Sequence, residues 1–384
     1  MLLSRSRPSC QPPSQVPKRE TDINPSRRES RRPATADDVA RLAGVSQSAV
    51  SRAFTEGASV SKIMRGKVLE AAQSLGYRPN LIARSLITRR SNIVGVAIGY
   101  LENQFYPEAL RALSARLGEQ GYRILLFSVD QAGDADPGLE EVLRYQVDAL
   151  VMASVFLSSH LAEECRQAGV PVVLINRKTD DTDVSSVTGD NWHGSQTLAA
   201  FLAAGGHRRF AFVAGLENAS TSRDREAGYT NWLIQNGFGP PARAVGRYSF
   251  DGAMQAARQL FSQAARPEAV FAANDHMALA VIEVARNEFG LEIGKDVSVV
   301  GFDDVGPAGW PSFGLTTFSQ PIKPMVDEVV RIIEMMVEDP SSETVQHIVP
   351  GELVVRTSAR LPSTGLTQRD GLRIWTPPQV PNKS

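Results

Sequence analysis

The chain is poor in cysteine, with Cys10 and Cys165 alone among its 384 residues. Two thiols so far apart in sequence offer neither a disulfide framework nor a thiolate metal cluster. The five histidines, His160, His193, His207, His276 and His347, are dispersed and form no pair at metal-ligand spacing, so no metal and no cofactor is expected. Long apolar runs are missing as well. The stretch 149–157 falls well short of the roughly 20 residues that span a bilayer, and nothing like a signal h-region follows Met1. The expectation is a soluble cytoplasmic protein with no membrane attachment. Catalytic signatures are equally scarce, since no GxSxG, Walker loop or GxGxxG stands after a strand-like segment.

Charge is present but unevenly spread. Residues 1–92 carry 17 Lys or Arg against 7 Asp or Glu, and the remainder carries 24 against 35, so a formal charge of −1 conceals a basic head (+10) on an acidic body (−11). A basic head suits contact with phosphates. The length exceeds the roughly 250–300 residues at which a single core stops growing, so more than one domain is expected.

Within the head, apolar residues recur at helical spacing in three short blocks, each opened by a hydroxyl residue able to cap it. Thr35 with Asp38 caps the first, whose Ala36, Val39, Ala40 and Ala43 share one face, and Gly44 supplies a left-handed turn. Ser46 caps the second, in which Ala49, Val50 and Ala53 face inward. That leaves Gln47, Ser48, Ser51 and Arg52 as an outward stripe of groups whose donors and acceptors match base edges in the major groove. A solvated helix face is the alternative. The third block, 62–75, turns Val68, Ala71, Ala72 and Leu75 inward and ends at Gly76. A short run, 81–86, follows and is too short to be a stable helix alone.

The stretches DVARLAGVSQSAVSRAF and YRPNLIARSL resemble the lactose-repressor and galactose-repressor family of bacterial transcription regulators. In that family the second helix enters the major groove, and the later run is a hinge helix whose leucine wedges into the minor groove. The resemblance implies that Gln47, Ser48 and Arg52 read bases, and that Leu86 is the wedge, beside Ala83. An inserted apolar side chain unstacks a base step and bends the duplex.

Prolines, serines and arginines dominate residues 1–33, a basic arm too polar to order itself, which is either a phosphate-tracking segment or sequence ahead of the true start. The expected order is this arm, a helix-turn-helix head at 34–79, a hinge helix at 80–91, a core at 92–360 and a C-terminal tail at 361–384. In the core, near-continuous apolar strands alternate with amphipathic helices, which implies parallel sheets covered on both faces. Two such series give two doubly wound halves, about 92–190 plus 320–360, and 191–319. The resemblance supports this α/β architecture, because the family shares its core with periplasmic sugar-binding proteins.

In open α/β sheets ligands sit beyond the carboxyl ends of strands, where two halves face each other. Phe105 and Tyr106, after the first strand, could stack on a ring or pack the loop. Arg225, in ArgGluAlaGlyTyr, matches the family position that contacts the effector; its planar fork suits vicinal hydroxyls or a carboxylate, and a surface salt bridge is the alternative. The resemblance also implies that Asn274 faces the cleft while Asp275 caps the next helix, and that Asp303 binds effector hydroxyls or amines while Asp304 is structural. Tyr248 stands where the family often stacks an aromatic on the ligand, or it packs the core. Arg177, after the fourth strand, is a further cleft residue, and Asp190 serves as hinge or ligand contact.

Together these features read as an effector-responsive DNA-binding regulator, a repressor like most of the family. It is expected to bind a palindromic operator as a homodimer, because two recognition helices must lie about one helical turn apart. The cleft suits a sugar, a sugar acid or a nucleobase. Pairing of dimers into tetramers stays open, although no leucine heptad follows Arg360. A cytoplasmic solute-binding protein and an enzyme with the same core are the alternatives.

Overall fold

The computed structural model describes residues 32–55, 57–79, 90–129, 141–154, 157–179 and 183–377. The chain divides into two units, Met1–Leu81 and Ile82–Ser384.

The first unit holds three helices, α1 (Ala36–Ala43), α2 (Gln47–Ala53) and α3 (Lys62–Leu75). Thr35 and Asp38 form a reciprocal capping box on α1, worth about 1 kcal/mol, and its backbone and hydroxyl hydrogen bonds hold the Asp38 carboxyl below its ordinary range. Gly44 closes α1 at φ 66°, in the left-handed region, and the chain turns directly into α2. Val39, Val50 and Val68, one from each helix, are at most 1% exposed and meet with Ala40, Ala53, Ala71 and Ala72 in one small core. Burying each valine contributes roughly 1.5–3 kcal/mol. Leu75, expected inside, is 39% exposed; Tyr77 packs against this core in tilted contact with Phe54, 5.8 Å between ring centres.

The second unit contains two sheets. The first, in the order β11-β5-β4-β3-β1-β2, is parallel throughout and comprises β1 (Ile93–Ile98), β2 (Arg123–Ser128), β3 (Ala149–Ala153), β4 (Val172–Ile175), β5 (Ser185–Gly189) and β11 (Gln346–Val349). The second runs β13 (Leu366–Arg369), β14 (Leu372–Trp375), β12 (Leu353–Val354), then β10, β9, β8, β6 and β7. Its parallel strands are β6 (Phe210–Ala214), β7 (Ala242–Val245), β8 (Ala269–Ala272), β9 (Ser298–Asp303) and β10 (Thr316–Ser319). Strands such as β3 and β8 are buried along their whole length, as parallel strands covered on both faces must be.

Three connections join the halves: β5 into helix Asn191–Ala204, β10 into helix Ile322–Glu338, and β11 into β12 (Leu353–Val354). Helix Ile322–Glu338 buries Met325, Val329, Val330 and Ile333 in the core of the first half. The structure corrects the expected boundary at residue 360. Leu353 and Val354 pair antiparallel with Phe318 and Thr317, so the chain has already returned to the second sheet, where it occupies the open edge of β10. The expected tail, 361–384, is also corrected. Within it β13 (Leu366–Arg369) and β14 (Leu372–Trp375) form a hairpin on β12, anchored by Trp375, which is 2% exposed, lies edge-on to Phe201 at 5.5 Å and donates from Nε1 to the Thr364 carbonyl at 2.9 Å. Among the described residues no helix is long and apolar enough to cross a membrane.

Candidate functional site

The polar stripe of α2 is in place. Gln47, Ser48, Ser51 and Arg52 are exposed, while Ala49, Val50 and Ala53 are buried beneath them. Ser46 caps the helix by accepting from the Ala49 amide at 3.3 Å and lies 3.0 Å from the Ser48 hydroxyl. Among the described residues no hydrogen bond or ion pair engages the side chains of Gln47 or Arg52, so their donors and acceptors are available to a partner. Ala83 and Leu86, the expected hinge contacts, lie outside the described residues.

A second site lies where the two sheets of the body face each other. Residues just beyond the carboxyl ends of strands in both halves line a cavity of about 300 Å³, solvent mouth included: Tyr100, Asn103, Tyr106, Ser154, Asn176 and Arg177 from one side, and Thr221, Arg225, Tyr248, Asn274 and Asp303 from the other. The backbone is unusual here. Ser154 (φ 59°), Asn176 (φ 60°), Tyr248 (φ 59°) and Asp303 (φ 132°) all occupy positive-φ conformations that side chains disfavour, and such outliers cluster at ligand sites. A Cβ at Gly215 would collide with the Tyr248 ring, so that glycine lets the aromatic lie across the strand end.

Arg225 is the electrostatic centre. It is 2% exposed and stacks its guanidinium 3.8 Å over the Phe302 ring. Its Nε donates to Asn191 Oδ1 at 2.7 Å and its Nη1 to the Ala273 carbonyl at 2.5 Å, while Nη2 stands 3.4 Å from Asp303 Oδ1, an ion-pair separation without hydrogen-bond alignment. The Asp303 carboxylate also accepts from Gln320 Nε2 at 2.6 Å and from Asn103 Nδ2 at 3.5 Å. Burial pushes its pKa above the ordinary carboxylate value, and Arg225, Gln320 and Asn103 pull it part of the way back. Neighbouring Asp275 accepts from Thr317 Oγ1 at 2.6 Å and the Val305 amide at 3.0 Å; burial and the nearby Asp303 push it up to about 8. Tyr106, fully enclosed, is raised mainly by burial.

Of the expected effector residues, Tyr106, Arg177, Arg225, Tyr248, Asn274 and Asp303 come together on the cavity wall. Phe105 does not. It is 0% exposed in the core of the first half, edge-on to Tyr106 at 5.2 Å, because its place at the start of helix Phe105–Glu119 points it at the sheet. The expected division between Asn274 and Asp275 is also revised: Asn274 caps the helix, its Oδ1 accepting from the Met277 amide at 3.0 Å, whereas Asp275 ties β10 to the loop at Val305. Asp304 pairs with Arg356 at 2.7 Å, and Asp190 caps helix Asn191–Ala204 rather than lining the cavity. Tyr100, Asn103, Ser154, Asn176 and Thr221 went unnoticed in sequence, although every one follows a strand.

Four buried polar atoms on this wall have no hydrogen-bond partner: Asn176 Oδ1, Arg177 Nε, Arg225 Nη2 and Asn274 Nδ2. Native interiors leave few such groups, and here they concentrate on one cavity.

Residues 35–80 match the family described as bacterial regulatory proteins, lacI family, and residues 199–359 match the periplasmic binding protein-like domain. Catabolite control protein A of Priestia megaterium is 33% identical over 294 residues, covering 75% of this chain and 88% of that protein. The ribose operon repressor of Escherichia coli K12 is 32% identical with the same coverage. Among solved structures, the lac repressor dimer bound to operator and the anti-inducer ONPF superposes with a TM-score of 0.77 at 28% identity, covering 85% of this chain and 99% of that one. The chain belongs to the lacI family of bacterial regulatory proteins and is a DNA-binding transcriptional repressor with a helix-turn-helix head and a periplasmic-binding-protein-like core. The enzyme alternative falls with that membership.

Proposed function

We propose that two copies of the chain bind a palindromic operator, each setting α2 in a major groove, and that a small polyhydroxylated molecule in the cavity changes the affinity for that operator. Gln47, Ser48, Ser51 and Arg52 contact base edges, and Leu86, with Ala83, enters the minor groove on the strength of the resemblance. The protein works in the cytoplasm, where its DNA target lies. Tyr106, Arg177, Arg225, Tyr248, Asn274 and Asp303 hold the effector, a sugar or sugar derivative. The observation that supports this reading is the group of four unpartnered polar atoms lining one cavity from both halves, beside an aromatic ring able to cover a sugar face. A lac repressor dimer solved with both operator and a small ligand supports the two-site arrangement.

Linkage requires ligand and operator to alter each other's affinity equally, by about 1–3 kcal/mol in typical cases. The test selects a preferred duplex from a random pool with the full-length protein and then measures its affinity with and without candidate sugars. A twofold-symmetric site whose affinity shifts by roughly 5–150-fold is expected. Selection of no symmetric site, or an affinity unmoved by a ligand shown to occupy the cavity, refutes the proposal.

A further inference from the structure

The charges on the cavity wall do not balance. Arg177 and Arg225 are the cations and Asp303 the anion among the described lining residues. Arg225 and Asp303 answer each other across 3.4 Å, and the remaining guanidinium donors of Arg225 and both oxygens of Asp303 are otherwise engaged. Arg177 has no such counterpart. Its Nε is buried without a hydrogen-bond partner, and no ion pair engages it among the described residues. Asp224, across the cleft, is held by the adjacent Lys178 at 2.7 Å. The unpartnered atoms tell the same story, three donors (Arg177 Nε, Arg225 Nη2, Asn274 Nδ2) against one acceptor (Asn176 Oδ1).

A partly buried guanidinium without a counter-ion is costly, and an acceptor-rich anion removes that cost through charge-assisted bonds. A neutral sugar supplies hydroxyls but no charge. A phosphate ester brings close to two negative charges, more than one free arginine neutralises. A single carboxylate matches the excess.

We infer that the effector is a sugar acid, its carboxylate held by Arg177 and its hydroxyls shared among Asp303, Arg225, Asn274 and Asn176. The inference rests on the cavity being the effector site, and the two can fail separately. Isothermal titration of the full-length protein with D-galacturonate and D-glucuronate, set against D-galactose, D-glucose and glucose 6-phosphate, tests it. The uronates should bind most tightly, and Arg177→Gln should weaken them by at least ~30-fold, the loss expected when one member of a buried charge pair is removed, and by more than it weakens the neutral sugars. Arg177→Lys, which keeps the charge, should retain the preference for acid over neutral sugar, and equal urea midpoints for all forms exclude misfolding as the cause. A neutral sugar or a sugar phosphate that binds as tightly as the uronates, a uronate affinity indifferent to Arg177→Gln, or binding by none of the five overturns the sugar-acid inference. A ligand of any class whose affinity ignores both Asp303→Asn and Arg225→Met overturns the cavity assignment instead.

Discussion

Arg225→Met probes the buried ion pair on which the cavity is built. The substitution keeps much of the side-chain volume over Phe302 but removes the charge and three sets of contacts: the bond to Asn191, the bond to the Ala273 carbonyl and the ion pair with Asp303. Leaving a buried charge without its partner costs about 3–5 kcal/mol, and each abandoned acceptor adds up to ~1–3 kcal/mol where it stays dry. These costs overlap, so a net loss of about 3–5 kcal/mol at pH 8 is expected, read from the urea midpoint and slope of the body transition. The sign with pH follows from Asp303. Burial already raises its folded pKa, and Arg225 is the strongest influence pulling it back down, so the variant raises it further. A raised carboxyl contributes its stability below the ordinary carboxylate range and loses it as pH climbs through the folded value. The deficit relative to the parent should therefore be smaller at pH 5 than at pH 8. Pairing Arg225→Met with Asp303→Leu should recover much of the stability, because buried ion pairs replaced by apolar residues of similar volume are often neutral, while ligand binding stays lost. A deficit under ~1 kcal/mol, or one equal at both pH values, refutes the electrostatic account of this pair.

Three other outcomes are expected. Arg52→Ala should weaken binding to the selected operator by about 1–3 kcal/mol with little effect on random duplex, measured by fluorescence anisotropy at fixed salt; equal losses on both would reassign Arg52 to the phosphate backbone. Asp275, pushed up to about 8 from 3.8, contributes fully below pH 4 and loses that contribution as pH rises toward 8, so Asp275→Asn should flatten the stability profile between pH 5 and 9, and an unchanged slope would exonerate this carboxyl. Trp375→Ala should destabilise the body by about 3–5 kcal/mol, and an unshifted thermal midpoint would return residues 366–375 to the status of a tail.

Much of this organisation was visible in the residues, and the exceptions share physical causes. The head announced itself because each helix carries its own N-cap and apolar face, and α1 and α3 each end on a turn glycine, so local rules sufficed. Strands β1, β3 and β8 stood out as unbroken apolar runs. Strand β5, SerSerValThrGly, did not, because its buried hydroxyls are satisfied by a partner far along the chain: the Ser185 hydroxyl accepts from the Val345 amide at 3.1 Å and Ser186 donates to Gln346 at 3.0 Å. The hairpin after residue 361 carried a usable signal that was passed over. Asp370 and Gly371 form the two-residue turn, at φ 51° and 78°, the positive values that a type I′ hairpin requires. In the site, charged and aromatic residues were easier to notice than Asn103, Ser154 and Asn176, whose importance comes from backbone conformation and from the opposite half rather than from side-chain type.

In the proposed mechanism, the division of the cavity between two halves is what would give a bound molecule mechanical consequence. A ligand shifts a conformational equilibrium only by the difference in its interaction with the two arrangements. Arg177 and Asn176 extend from β4 in one sheet, Asn274 and Asp303 from strand ends in the other with Arg225 on the helix after β6, and the protein supplies its own bridges between them: Asn103 to Asp303, the Tyr100 hydroxyl to the Tyr248 carbonyl, and Lys178 to Asp224. A molecule that engages groups on both sides adds its bonds only when the halves are close, so all of its bridging energy acts as differential affinity. One that touches a single half binds without consequence for the arrangement. Arg177 on one side and Asp303 on the other are for this reason the two positions at which loss of binding and loss of response should be inseparable.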